Sequence, residues 1–191
     1  MSNTNDDVTR NFLLQTGTRT NALSCHYSGN EFFSYSTVFA RVDKDKNTVL
    51  ISDRGMTPTT SKHRAVLVHN AIKLGVKILP VPLQIYKSTF PTNEEIIGRF
   101  EARMDYLKRG TELALSATRY EFLDTLKDYK DFVRYTGVTP TNYDKYIEVG
   151  VKCEDIQYIK DLQKQRREFQ KQKRKDSNIT LDTIVAEIER N

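Results

Sequence analysis

The strongest constraint on the fold is the stretch Glu31 to Val42, a run of aromatic, β-branched and small residues. It is followed by the charged segment Asp43-Lys44-Asp45-Lys46-Asn47 and then by Thr48-Val49-Leu50-Ile51-Ser52. Side chains alternate faces along a strand, so Phe33, Tyr35, Thr37 and Phe39 share one face. Phe32, Ser34, Ser36, Val38, Ala40 and Val42 share the other. Both faces carry apolar groups, which predicts a strand at least half buried on each side. The charged segment has hairpin length, so the second run returns antiparallel to the first. Ala22 to Tyr27 with the turn residues Ser28-Gly29-Asn30 adds a strand in front, completing a meander.

After Asp53-Arg54-Gly55 turns the chain, Thr59 or Thr60 can cap a helix over about 61–74, with Ala65, Val66, Val68 and Ile72 at roughly helical spacing and Gly75 as its stop. Residues 76–87 are apolar but contain Pro80 and Pro82, which lack ladder donors, so they read as an edge strand or extended connector. Helices dominate from there. Thr92 and Glu95 form a capping box ahead of a helix ending at Gly110, a second helix spans about 111–135 before Gly137, and Thr139-Pro140 starts a short one before Gly150. A further helix begins near Cys153 and breaks at Asp176-Ser177-Asn178, and Thr180 caps a last one carrying Leu181, Ile184, Val185 and Ile188. The expected class is α+β: a small antiparallel β-meander packed by a helix, then a mainly helical C-terminal region. Residues 1–20, polar and without hydrophobic period, are read as a flexible arm, 21–90 as the α+β hairpin unit and 91–191 as the helical region.

The charge is concentrated. Of the net +5, residues 160–175 hold eight basic side chains against Asp161 and Glu168, a local +6 that leaves −1 for the rest. On a helix Lys160, Lys164, Arg167, Lys171 and Arg174 or Lys175 line one face, since residues three and four apart are neighbours. Such a stripe can track phosphates, with the steep salt dependence that counterion release imposes. The basic helix, about 153–175, has apolar contacts only at Ile156, Ile159 and Leu162, with Phe169 beyond, so it is expected to project. Glu121, Asp124, Asp128 and Asp131 form an acidic face, but Lys127, Lys130 and Arg134 lie close enough to make ordinary surface pairs. Asp124 and Asp128 alone supply too few oxygens for a cation, so no metal and no other cofactor is expected. Cys25 and Cys153 have no zinc or disulfide spacing. The chain shows no signal peptide at its N-terminus and no apolar run of membrane-spanning length, which predicts a cytoplasmic location without membrane association.

One motif is more distinctive. Ser34-Tyr35-Ser36-Thr37 with Ala40 is followed, after the hairpin, by Thr59-Thr60-Ser61-Lys62-His63. These residues resemble a domain of unknown function widespread in bacteriophage proteins, with a Ser-Tyr-x-Thr strand and a Thr-Thr-Ser-x-His segment at a helix start. The likeness covers about residues 31–70. That family usually has a Tyr-Ser pair just before its threonines, where this chain has Met56-Thr57-Pro58. The resemblance implies a phage or mobile-element origin and brings no established activity. Small phage proteins of this size include accessory factors that inhibit host defence, anti-CRISPR-like proteins among them.

His63 can be read in two ways. At the first turn of a helix, near free amides and beside Lys62 and Arg64, a neutral imidazole can receive a phosphate or act as a base on a phosphodiester, with His26 as a second group. Alternatively His63 hydrogen-bonds Ser34, Ser36 or Tyr35 and locks helix to hairpin, the reading favoured because buried polar groups are almost always paired. Three functional classes follow. The leading one is a non-enzymatic phage accessory protein that contacts nucleic acid or a host nucleoprotein complex through the basic helix. The second is a phosphodiester-cleaving nuclease using His63 and His26. The third is an assembly role in which helices 153–175 and 180–190 pack on a partner or a second copy of the chain.

Overall fold

One mixed sheet of six strands organises the N-terminal part of the chain: β1 (Arg19–Asn21), β2 (Cys25–Ser28), β3 (Glu31–Ser34), β4 (Thr37–Asp43), β5 (Thr48–Ser52) and β6 (Lys77–Val81), hydrogen-bonded in that order. The computed structural model of the chain describes residues 4–16, 19–21, 24–53, 57–83, 88–112 and 116–188, with 19–21, 112, 116 and 175–188 described by their backbone alone. Neighbouring strands from β1 to β5 are antiparallel, as successive hairpins require, and β6 pairs with β5 in parallel. A parallel partner needs a crossover, and α2 (Pro58–Lys73) supplies it. The edge position expected from Pro80 is the position β6 takes. The protein is therefore α+β, the meander followed by α3 (Asn93–Glu112), α4 (Ser116–Thr136), α5 (Tyr143–Glu154) and α6 (Ile156–Ile188).

The chain divides into two compact units, Met1–Ala102 with Lys127–Pro140, and Arg103–Leu126 with Thr141–Asn191. The division expected near residue 91 thus falls elsewhere, within helices α3 and α4. In the first unit both sheet faces are covered. Phe32, Ala40, Val42, Val49 and Ile51 pack with Leu67 and Ala71 of α2 in one core, while Leu50 and Leu79 are buried on the opposite face. On that second face Arg41 Nη2 donates to Asn93 Oδ1 at 3.1 Å, and the Tyr135 hydroxyl donates to Asp43 Oδ2 at 2.8 Å. Phe100 meets Tyr129 and Phe132 with ring centroids 5.5 and 5.8 Å apart.

Within the expected arm of residues 1–20, the described residues 4–16 are not an arm. Asn5–Leu14 is a helix, α1, held at its start by a reciprocal capping box between Thr4 and Asp7. Val8, Phe12 and Leu13 are buried, and the Phe12 ring lies 5.0 Å from Phe32 and 5.9 Å from Tyr27. Buried Asn70 of α2 donates to Asp6 Oδ1 at 2.9 Å and to Thr9 Oγ1 at 2.7 Å, fixing α1 on α2. An apolar stripe of three residues in an otherwise polar segment is enough for a helix when tertiary packing supplies its stability.

The run Glu31 to Val42 is two strands, not one. Tyr35 adopts φ 53°, Ser34 pairs with Thr37, and Tyr35 and Ser36 form the turn between them. Left-handed backbone at a residue with a large side chain is uncommon and carries no sequence marker. Here the Tyr35 N–H donates to Ser24 O at 2.9 Å. An irregularity at Phe32/Phe33 leaves Phe39 as the extra residue of β4, and its ring sits 5.2 Å from Phe32 on the same face as Ala40.

Several helix ends also differ from expectation. Thr57, not Thr59 or Thr60, caps α2, its hydroxyl accepting from the Thr60 N–H at 3.1 Å, with Pro58 at the first helical position. The Thr92–Glu95 box opens α3 as expected, and Gly137, at φ 74°, closes α4. Thr139-Pro140 does not start α5, which begins at Tyr143 after Asn142 with no side-chain cap. Asp176-Ser177-Asn178 does not break the chain, since α6 runs unbroken to Ile188. These residues are only poor helix formers, each less favourable than alanine by about 0.7 kcal/mol or less, and neither Gly nor Pro is present to stop the helix. The side chains of Leu181, Ile184, Val185 and Ile188 lie outside the described residues.

Gly110 and Gly150 are not stops either. Each lies inside its helix, where a Cβ would meet Thr118 on α4 or Leu126 on α4 respectively. Both contacts belong to the second unit, so these glycines serve close helix approach. Gly110→Ala is expected to destabilise that unit by about 1–3 kcal/mol, because the clash involves the branched Thr118 side chain, which has little freedom to give way. Thermal unfolding of the variant checks this, and an unchanged midpoint would show that the contact relaxes without cost.

Candidate functional site

His63 lies at the end of the second turn of α2, facing the first sheet face, and is 2% exposed. Its Nδ1 is 2.9 Å from Ser34 Oγ and its Nε2 is 3.0 Å from Ser24 Oγ. The Thr60 hydroxyl donates to Ser34 Oγ at 3.0 Å, and Thr57 Oγ1 lies 3.0 Å from Thr60 Oγ1. A neutral imidazole donates through one nitrogen and accepts through the other, so both serines are satisfied. Burial lowers the His63 pKa, which keeps the ring neutral.

The Ser-Tyr-x-Thr and Thr-Thr-Ser-x-His segments therefore meet through Ser34, Thr60 and His63. Tyr35 and Ser61 face solvent, while Thr37 and Thr59 are half-buried and have no place in the network. Ser24 and Thr57 belong to it and were not singled out in the sequence. Ser24 lies 39 residues from His63, and only the β2–β3 pairing brings it there. A serine within hydrogen-bond reach of a histidine is the geometry of an activated nucleophile. Ser34, however, is itself 2% exposed, so substrate does not reach it, and the arrangement acts as a clasp between helix and hairpin.

His26 does not join His63. It pairs with Phe33 across β2 and β3, its ring stacked on Phe33 at 4.8 Å, whereas Ser34 pairs with Cys25. Alternation puts the two histidines on opposite faces of the sheet, so they cannot share one phosphodiester. His69 is exposed. Among the described residues no group of three His, Cys, Asp or Glu side chains is placed to hold a metal ion.

On α6, Lys160, Lys164, Arg167, Lys171 and Arg174 are all exposed, and Lys175 lies outside the described side chains. Alternate steps of four and three keep these five on one face with a drift of only about 20° per seven residues. Along the axis they span about 21 Å. Ile159 is buried and Leu162 half-buried, but beyond them Phe169 is 71% exposed, so among the described side chains nothing apolar ties residues 163–174 down. The acidic face of α4 behaves as ordinary surface. Glu121 pairs with Arg103 and Asp131 with Arg134, each at 3.1 Å.

No protein-family model, no curated protein and no solved structure matches the chain. Among the described residues no helix is long and apolar enough to cross a membrane.

Proposed function

We propose that the protein is a phage accessory factor that binds a polyanion through α6, either nucleic acid or a host nucleoprotein complex, and thereby blunts host defence. The observation that carries the binding part is the exposed row of five cations on α6, which beyond Leu162 offers only the exposed Phe169 as an apolar group among the described side chains. The phage part is supported by the short signature in residues 31–70. Polyanion contact of this kind reads charge rather than sequence, because lysine and arginine heads reach phosphates without touching base edges. The sealed His63 network argues for binding rather than cleavage.

The test is a titration of short RNA and DNA at several salt concentrations, comparing the wild-type protein with a variant carrying Lys164→Glu, Arg167→Glu and Lys171→Glu. With five phosphates neutralised on a duplex, log K should fall against log salt with a slope of about −4.5, and the variant should lose about three contacts' worth of that slope. Equal affinity and equal slope for the two proteins would remove α6 from the function.

A further inference from the structure

A second cationic feature lies in the second unit, beside the N-terminal end of α6. Residues of α3, α5 and the start of α6 enclose a cleft of about 210 Å³ whose wall includes Lys108, Lys145 and Lys152 against the single carboxylate of Glu148. Buried Thr111 and Cys153 also line it. Burial raises the Cys153 pKa, so the thiol stays protonated and adds no negative charge.

Two features define what the cleft can take. Lys145 Nζ is held by Asp105 Oδ1 at 2.9 Å, so that ammonium group is restrained at the wall, and Lys108 also has an interaction within the protein. Asp105 offsets part of the Lys145 charge, which leaves Lys152, exposed on α5, as the principal free-standing cation. The backbone amides of Gln157 and Tyr158 at the start of α6 are already taken by Asp155 Oδ1, at 2.8 and 3.1 Å. Recognition therefore rests on side chains. Lysines bind as point charges and suit a compact, multiply charged anion, whereas planar carboxylates favour the guanidinium fork, which this wall lacks. The cleft is smaller than the roughly 300 Å³ at which drug-sized pockets begin, so the ligand is small. Tyr158, 38% exposed, lines the same cleft and offers ring surface beside the cations.

We propose that this cleft binds a phosphomonoester, with Lys152 and Lys108 contacting the phosphoryl group and Tyr158 flanking the attached sugar or base. The ligand is either a free nucleotide or the phosphorylated end of a nucleic-acid strand. The site stands independently of polyanion binding by α6.

Calorimetric titration with inorganic phosphate, adenosine monophosphate and adenosine tests it, followed by short strands with and without a terminal phosphate. Phosphate and the monophosphate should bind saturably, adenosine at least about tenfold more weakly than the monophosphate, and Lys152→Glu should weaken the monophosphate by about tenfold or more. Lys152 is exposed, so its replacement leaves folding intact, and Lys108→Gln should weaken binding in the same direction. The α6 charge-reversal variant should bind the monophosphate like the wild type, which separates failure of this site from failure of α6. Preference for the phosphorylated strand identifies a strand end as the ligand, and equal strand binding with the monophosphate retained identifies a free nucleotide. Equal binding of monophosphate and adenosine, or undiminished monophosphate binding by Lys152→Glu, overturns the proposal.

Discussion

Phe12→Ala is expected to destabilise the first unit by about 3–5 kcal/mol, a large part of the stability of an ordinary domain. The side chain is fully buried between α1 and the sheet, in ring contact with both Tyr27 and Phe32. Its removal leaves a cavity that the tilted neighbouring rings cannot close without abandoning their own packing. Urea unfolding gives the measurement. Leu14→Ala, on the same helix but exposed, serves as the control and should shift stability by no more than about 0.5 kcal/mol. A Phe12→Ala loss below about 1 kcal/mol would mean that α1 lies on the surface of the unit rather than in its core.

The second large effect concerns His63. Replacing it with alanine should destabilise the protein by about 2–4 kcal/mol, since Ser34 loses one of its hydrogen bonds inside the core and a ring-sized space opens beneath α2. The wild type should also show a pH signature of defined sign. His63 in the fold has a pKa below its ordinary 6.5, so the unfolded chain binds a proton that the folded one refuses. Stability is therefore unaffected by this group well above pH 6.5, falls as the pH drops through that value, and levels off once the folded state also takes the proton. Denaturation midpoints measured at about pH 7.5 and about pH 5.5 should differ more in the wild type than in His63→Ala. Identical pH dependence in the two proteins would show that the imidazole is not held neutral.

Much of the sheet could be read from the residues because period-two alternation and a charged loop leave few alternatives for β4, β5 and their hairpin. The edge placement of β6 followed from its prolines. The Tyr35–Ser36 turn was hidden because left-handed backbone at tyrosine is imposed by tertiary contacts, here the hydrogen bond to Ser24 O, and no Gly, Asn or Pro marks it. Helix α1 was hidden because its buried residues are stabilised by partners distant in sequence, Phe12 by Tyr27 and Phe32 and Thr9 by Asn70. Gly110 and Gly150 misled for a related reason: glycine marks helix ends and also marks places where two backbones come close, and only the fold separates the two uses.

At the candidate site the partnership of His63 with Ser34 was legible, since a helix-start histidine opposite a serine-rich strand needs partners. Ser24 was not, because its nearness depends on strand register. The cationic row on α6 followed directly from helical spacing. The cleft at Lys108, Lys145 and Lys152 was illegible, as its three lysines come from two helices and are ordinary surface residues in the sequence.

The discontinuity of the first unit bears on how the chain is synthesised and dissected. Leu50, Leu79 and Phe100 are buried within a unit that includes Lys127–Pro140, so a ribosome must have passed residue 140 before that unit can be finished. Until then a nascent chain carries an uncompleted hydrophobic surface, the kind of intermediate that engages chaperones. For the same reason a fragment ending at residue 102 lacks Tyr129 and Phe132, the aromatic partners of Phe100. Binding assays should therefore use the full chain, because α6 and the cleft residues Lys145, Lys152 and Tyr158 all lie beyond residue 140.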